Sequence, residues 1–147
     1  MRMVLMWGGG FTALIAILVA IVVIVGASLP VAHRAQKSAT FAVPADKLFD
    51  MAVTVFNRTN DGSYAIVAQQ RPTQFVTAIA KKDLPYGGSW TFDLAPNAGG
   101  TTLTITENGE VYNPFFRFMS RYVFGYDSSI DAFLAALRKD APDSKRG

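Results

Sequence analysis

Cysteine is absent from the 147 residues, and histidine occurs once, at His33. No disulfide, thiolate metal site or cysteine nucleophile can be built from such a chain. A single imidazole excludes a histidine metal cluster. His33 also falls in a short connecting segment, away from the expected core, which argues against a Ser-His-Asp hydrolase. No metal or other cofactor is expected. Charge is scarce as well: 17% of residues are Asp, Glu, Lys or Arg, where about a quarter is usual. Acidic residues are missing before Asp46, and no charged side chain of either sign stands between Arg2 and Arg34. The net charge of +3 therefore says little about partners. From residue 36 onward twelve basic residues meet eleven acidic ones, a balance of +1, so no nucleic-acid surface is expected. No phosphate loop or dinucleotide fingerprint occurs.

The uncharged stretch is apolar. Phe11 to Val25 reads FTALIAILVAIVVIV, with Thr12 as its one polar residue. Extended to Leu29 it covers 19 residues, which at about 1.5 Å each nearly crosses a hydrocarbon core of about 30 Å. Val4 to Trp7 lengthen it upstream. No polar stripe marks it as a surface helix of a soluble domain, and Pro30 stops it. The expectation is a single transmembrane anchor over residues 1–30, with residues 4–29 in the bilayer. Three alternatives are less consistent with the sequence. Val25-Gly26-Ala27 resembles a signal-peptide cleavage site, but the run exceeds the usual apolar length. Gly10-Phe11-Thr12 resembles the start of a type IV pilin, but Ile15 stands where those pilins carry Glu. A buried core helix would need a larger protein around it. Arg34, Lys37 and Lys47 downstream, against Arg2 upstream, place the following domain in the cytoplasm by a narrow margin.

Residues 31–38 (VAHRAQKS) read as a polar linker, 39–140 as one domain and 141–147 as a flexible tail. Within the domain, 39–43 is a strand. Pro44 then opens a helix whose Leu48, Phe49, Ala52, Val55 and Phe56 share one face. After the turn NRTNDG the apolar period becomes two. Tyr64, Ile66 and Ala68 alternate with their neighbours, and so do Phe75, Thr77 and Ile79. Trp90, Phe92 and Leu94 line one strand face, and Leu103, Ile105 and Glu107 another. These are antiparallel strands with one covered face. Asn113-Pro114 opens the last helix, where Phe115, Met119, Tyr122, Tyr126, Ile130, Phe133 and Leu137 form a continuous stripe; Gly125 interrupts the helix, and a bend is expected there. The expected fold is α+β: a helix grip, in which a curved antiparallel sheet wraps a long C-terminal helix, preceded by one transmembrane helix.

Several motifs resemble the START-like, or SRPBCC, superfamily, in particular its polyketide cyclase/dehydrase and lipid-transport-like bacterial members. They are Gly88-Ser89-Trp90-Thr91, Gly99-Gly100-Thr101, TITENGE from Thr104 to Glu110, Asn113-Pro114 before the helix, and VPADKLFD from Val43 to Asp50. The resemblance covers residues 39–139 and implies an apolar cavity between sheet and C-terminal helix for a lipid, polyketide or similar ligand. It carries over no catalytic residues. One departure stands out: only NRTNDG occupies the place where family members put a second short helix and two more strands. A shallow groove, a collapsed core, or an edge completed by a second copy or a membrane partner protein are the open outcomes.

The lining expected from the strand faces and the helix is Tyr64, Thr77, Trp90, Phe92 and Glu107 with Phe118, Tyr122 and Tyr126. Each of these aromatics also suits a plain core. Glu107 is the one titratable group on its strand's apolar face. Buried, it would bind a ligand hydroxyl or act as acid or base. Otherwise it reaches solvent beside an Asn108-Gly109 turn or pairs with Arg117 or Arg121. Lys81-Lys82 suit anionic headgroups, and Arg138-Lys139 complement a helix C-terminus. The function expected is non-catalytic binding of an apolar small molecule or lipid at a membrane. The alternatives are an interaction module with a filled core and a cyclase- or hydrolase-like enzyme.

Overall fold

The structure, a computed structural model, describes residues 2–81 and 83–141, with side chains from Gly10 onward. Val4 to Trp7 as bilayer side chains, Lys82, and the tail from residue 142 lie outside that description. The order of elements is α1 (Arg2–Ser28), β1 (Ala32–Phe41), α2 (Ala45–Thr59), β2 (Tyr64–Gln70), β3 (Gln74–Ile79), β4 (Tyr86–Asn97), β5 (Gly100–Val111), α3 (Pro114–Met119), a π-helical turn (Ser120–Phe124) and α4 (Ser128–Asp140). The described strands form one sheet in the order β1-β5-β4-β3-β2, with every neighbouring pair antiparallel. The fold is α+β.

Two helices cover one face of this sheet. The α2 stripe is the one its spacing predicts: Leu48, Phe49, Ala52, Val55 and Phe56 are buried. In α4 the buried residues are Ile130, Phe133, Leu134 and Leu137. Between helices and sheet lie Phe41, Phe75, Phe92, Leu103 and Ile105, all without solvent exposure. Phe75 and Phe92 stack at 4.1 Å across the β3–β4 pair. On the opposite face Ser38 with Thr104 and Thr40 with Thr102 make hydroxyl rungs across β1 and β5. This is the alternation expected of a sheet with one covered face.

Four segments differ from the sequence expectation. Residues 31–38 are not a linker: Ala32 onward is strand, and β1 pairs with β5 along its whole length. Its alternation is hard to see because the inward residues before Phe41 are small or polar, with Ala35 and Ala39 buried between His33 and Lys37. Asn108-Gly109 is not a turn but the continuation of β5, held between Ser89-Gly88 on one side and Arg34-His33 on the other. The C-terminal helix is not one rod. Gly125, at a φ of 78°, takes a left-handed conformation that few other residues tolerate. It separates the short α3 and its π turn from α4, so only α4 fills the grip. The first residue assigned to the tail, Ala141, is buried and caps α4 through its N–H on the Leu137 carbonyl.

The N-terminal helix is long and apolar enough over Gly10–Ser28 to cross a membrane by length and composition, a description that also suits a signal sequence. Among its described side chains, all are exposed except Val22, Val25 and Gly26. That strip faces α3. A Cβ at Gly26 would fall 1.9 Å from the Pro114 carbonyl oxygen, so glycine permits the close approach. Arg117, itself buried, donates from Nη1 to the Leu29 carbonyl oxygen at 2.7 Å and satisfies an acceptor just past the C-terminal end of α1.

Candidate ligand cavity

Each of the five strands contributes one side chain to a band across the covered face of the sheet. Thr77, Trp90 and Glu107 are direct cross-strand partners on β3, β4 and β5. Tyr64 of β2 and His33 of β1 extend the band at its two ends. Above it sit Phe133 of α4 and Tyr126 ahead of that helix. The space between is a cavity of about 720 Å³, open to one side, where Phe116, Ser120 and Phe124 form part of its rim. Its lining is largely aromatic and apolar.

The band carries unmet hydrogen-bonding capacity. His33 Nδ1, Thr77 Oγ1, Trp90 Nε1 and Glu107 Oε2 are buried without a partner, and all four residues line the cavity. Buried polar groups in native structures are normally satisfied. The four exceptions lie on one wall of the cavity.

Electrostatics favour neutral forms here. Burial raises the Glu107 carboxyl to about 7, an effect that the neighbouring Trp90 indole moderates without completing a hydrogen bond. Burial lowers the His33 imidazole. The two meet at 3.7 Å between Nε2 and Oε1, and His33 stacks on Tyr126 at 4.2 Å. The Tyr64 phenol is pushed up to about 12, by burial first and by the Glu107 charge second.

Of the residues expected to line a pocket, Tyr64, Thr77, Trp90, Glu107 and Tyr126 are brought together here. The other three are placed elsewhere. Phe92 is one step too deep: it is fully buried in the core against Phe75. Phe118 and Tyr122 lie on the segment before the Gly125 break and pack on each other at 5.0 Å, with Tyr122 exposed on the outer side. Glu107 neither reaches solvent at a strand end nor pairs with Arg117 or Arg121. His33, placed in a linker from the sequence, is a wall of the cavity. Its signal was parity: it lies two residues before Ala35, which faces the same side of β1. Lys81 donates to the Asp61 carbonyl oxygen, and Arg138 and Lys139 occupy the last turn of α4.

No family model matches the sequence, and no curated protein matches it either. Solved structures do match in shape. A conserved protein from Geobacillus kaustophilus aligns with a TM-score of 0.57 at 12% identity, over 74% of this chain and 94% of that one. Ara h 8.0201 aligns at 0.52 and 14% identity, over 74% and 97%. The di-domain ARO/CYC StfQ of the steffimycin biosynthetic pathway aligns at 0.53 and 12% identity, over 74% of this chain and 50% of StfQ. The fold is the START/SRPBCC-like helix grip. At these identities the likeness speaks for the fold alone. The grip leaves a cavity that is open to one side, so its interior is not filled.

Proposed function

We propose that this chain is a membrane-anchored START-like domain that binds a lipid or other apolar small molecule without transforming it. The observation that carries this reading is the cavity of about 720 Å³ with its apolar lining and four unpartnered polar groups on one wall. Small-molecule sites are typically about 300–1,000 Å³, mostly apolar, with a few placed polar groups. The cavity suits a ligand with an apolar body and one hydroxyl, carbonyl or carboxylic acid end. Near neutral pH the wall offers Trp90 N–H as a donor, Thr77 as donor or acceptor, and Glu107 in either role according to its protonation. The α1 helix supplies the anchor.

The test is native mass spectrometry of the full chain released from mild detergent. The expected result is a co-purified apolar species. Ala132→Trp, on the exposed side of α4 at the cavity lining, should lower its occupancy severalfold while the chain stays folded. An empty chain under all conditions, together with no binding of a long-chain fatty alcohol added as a probe, would overturn the reading. One observation favours a second reading, a cyclase- or hydrolase-like enzyme: Glu107 and His33, two groups that can exchange protons, lie close together inside the cavity, within reach of one bound molecule. The same spectra distinguish the two. An enzyme would hold species of different mass in the wild type and in Glu107→Gln, whereas a binder holds the same one.

A further inference from the structure

The segment from Tyr112 to Phe124 is not explained by the domain's own packing. Tyr112, Phe116, Tyr122, Val123 and Phe124 are each about half exposed or more. Water is a poor surrounding for such a cluster on a folded domain. The stretch contains Arg117 and Arg121 and no acidic residue other than those that precede it on β5. Tyrosine and phenylalanine mixed with arginine is the composition of the membrane–water boundary.

Position adds a second, independent argument. The segment is fastened to α1 by the Gly26–Pro114 contact and by the Arg117–Leu29 hydrogen bond. The less exposed strip of α1 on this side is Val22, Val25 and Gly26, continued by Leu29 just past the helix end. These recur at helical spacing, and Val22 to Leu29 spans about 10 Å of helix axis. If α1 spans the bilayer, α3 is held beside its last two turns, at the depth where interfacial helices lie, about 5–10 Å into the boundary of headgroups and acyl chains. The inner side of the same segment, through Phe116, Ser120 and Phe124, borders the cavity.

The geometry points to a membrane-seated cavity mouth: residues 112–124 insert into the interfacial layer of the bilayer that α1 crosses, and the cavity opens onto lipid instead of water. This inference rests on the anchor reading of α1. A ligand then moves from the acyl region into the band of strand residues without passing through solvent. Arg121, exposed on the segment, meets anionic headgroups. The π-helical turn and the Gly125 break give the rim its separation from α4, so the rim can follow the membrane while α4 stays in the core.

Because the chain has no cysteine, single cysteines can report depth without background. Full-length Val19→Cys, Val123→Cys and Ala98→Cys proteins, each labelled with an environment-sensitive fluorophore, are reconstituted into vesicles of phosphatidylcholine and phosphatidylglycerol. Val19 tests the anchor. Ala98, exposed at the β4–β5 tip, lies about 35 Å along β5 from the start of the segment and serves as the aqueous reference. The expected result is strong quenching of the Val19 and Val123 labels by nitroxide-bearing lipids, with Val123 shallower, and quenching of the Ala98 label by iodide alone. A Val19 label in lipid with a Val123 label as iodide-accessible as Ala98 overturns the inference and leaves the anchor standing. A Val19 label in water removes the anchor reading, and the inference falls with it.

Discussion

Phe92→Ala should destabilise the domain by about 3–5 kcal/mol, the range for truncating a buried phenylalanine. Phe92 has no solvent exposure. It stacks on Phe75 at 4.1 Å, and its ring centroid lies 5.1 Å from that of Phe133 and 6.4 Å from that of Phe56. It therefore joins β3, β4, α2 and α4 in one aromatic cluster. Truncation loses both the transfer free energy and the contacts of every ring facing the hole, and helices on two sides cannot both collapse into it. Natural domains have only about 5–15 kcal/mol in total, so the variant should be largely unfolded or close to it. Tyr122→Ala is the counterpart. It removes an aromatic of similar size at 59% exposure and should change stability by no more than about 0.5 kcal/mol, as surface substitutions usually do. Urea titration of the full chain in detergent, followed by tryptophan fluorescence, measures both. A Phe92→Ala protein of unchanged midpoint that fails to bind ligand would show instead that Phe92 belongs to the cavity wall.

That pair also illustrates where the sequence was legible. Helix α2 and strands β2 to β5 follow from periods of 3.6 and two, because their inward residues are large: Leu48, Phe56, Phe75, Phe92, Leu103. The cavity band was legible for the same reason, since Tyr64, Thr77, Trp90 and Glu107 sit on the covered parity of their strands. Strand β1 was hidden because its inward parity holds small or polar residues, His33, Ala35, Lys37 and Ala39, before Phe41, and His33 was lost with it. Alanine is small enough to sit beneath the rest of the core, but it leaves no hydrophobic trace in a sequence. The residues from Phe115 to Tyr126 misled in the opposite way. Their spacing continues the stripe of α4, and it does so because they also need an apolar surrounding. The surrounding proposed for them is a bilayer, which periodicity cannot tell from a core. Gly125 was the visible sign, and its left-handed φ turns that sign into a break.

The second large effect is one of pH, and it belongs to Glu107. Its folded value of about 7 lies above the ordinary 4.5 for the unfolded chain. A carboxyl raised by folding favours the protonated native state. Its contribution is fully present below about 4.5 and is lost as pH rises through about 7. His33, on β1 and facing Glu107, acts with the opposite sign. Burial holds its imidazole low, so the unfolded state binds the proton first and stability falls as pH drops below about 6.5. The Tyr64 phenol on β2, held high at about 12, does not charge in this window. The wild type should thus show two opposed slopes between pH 5 and 7. Glu107→Gln keeps the neutral shape of the protonated acid and abolishes one of them. Its midpoint should match the wild type near pH 5 and exceed it at pH 8 by on the order of 2 kcal/mol, somewhat less than the full shift implies because the cavity is open on one side. The variant's own profile should then rise from pH 5 to 7, which is the His33 slope uncovered. Urea midpoints across that range decide the matter. Parallel curves for the two proteins would mean that Glu107 is charged and solvated in the native chain, and would remove it from the polar wall on which ligand binding is argued.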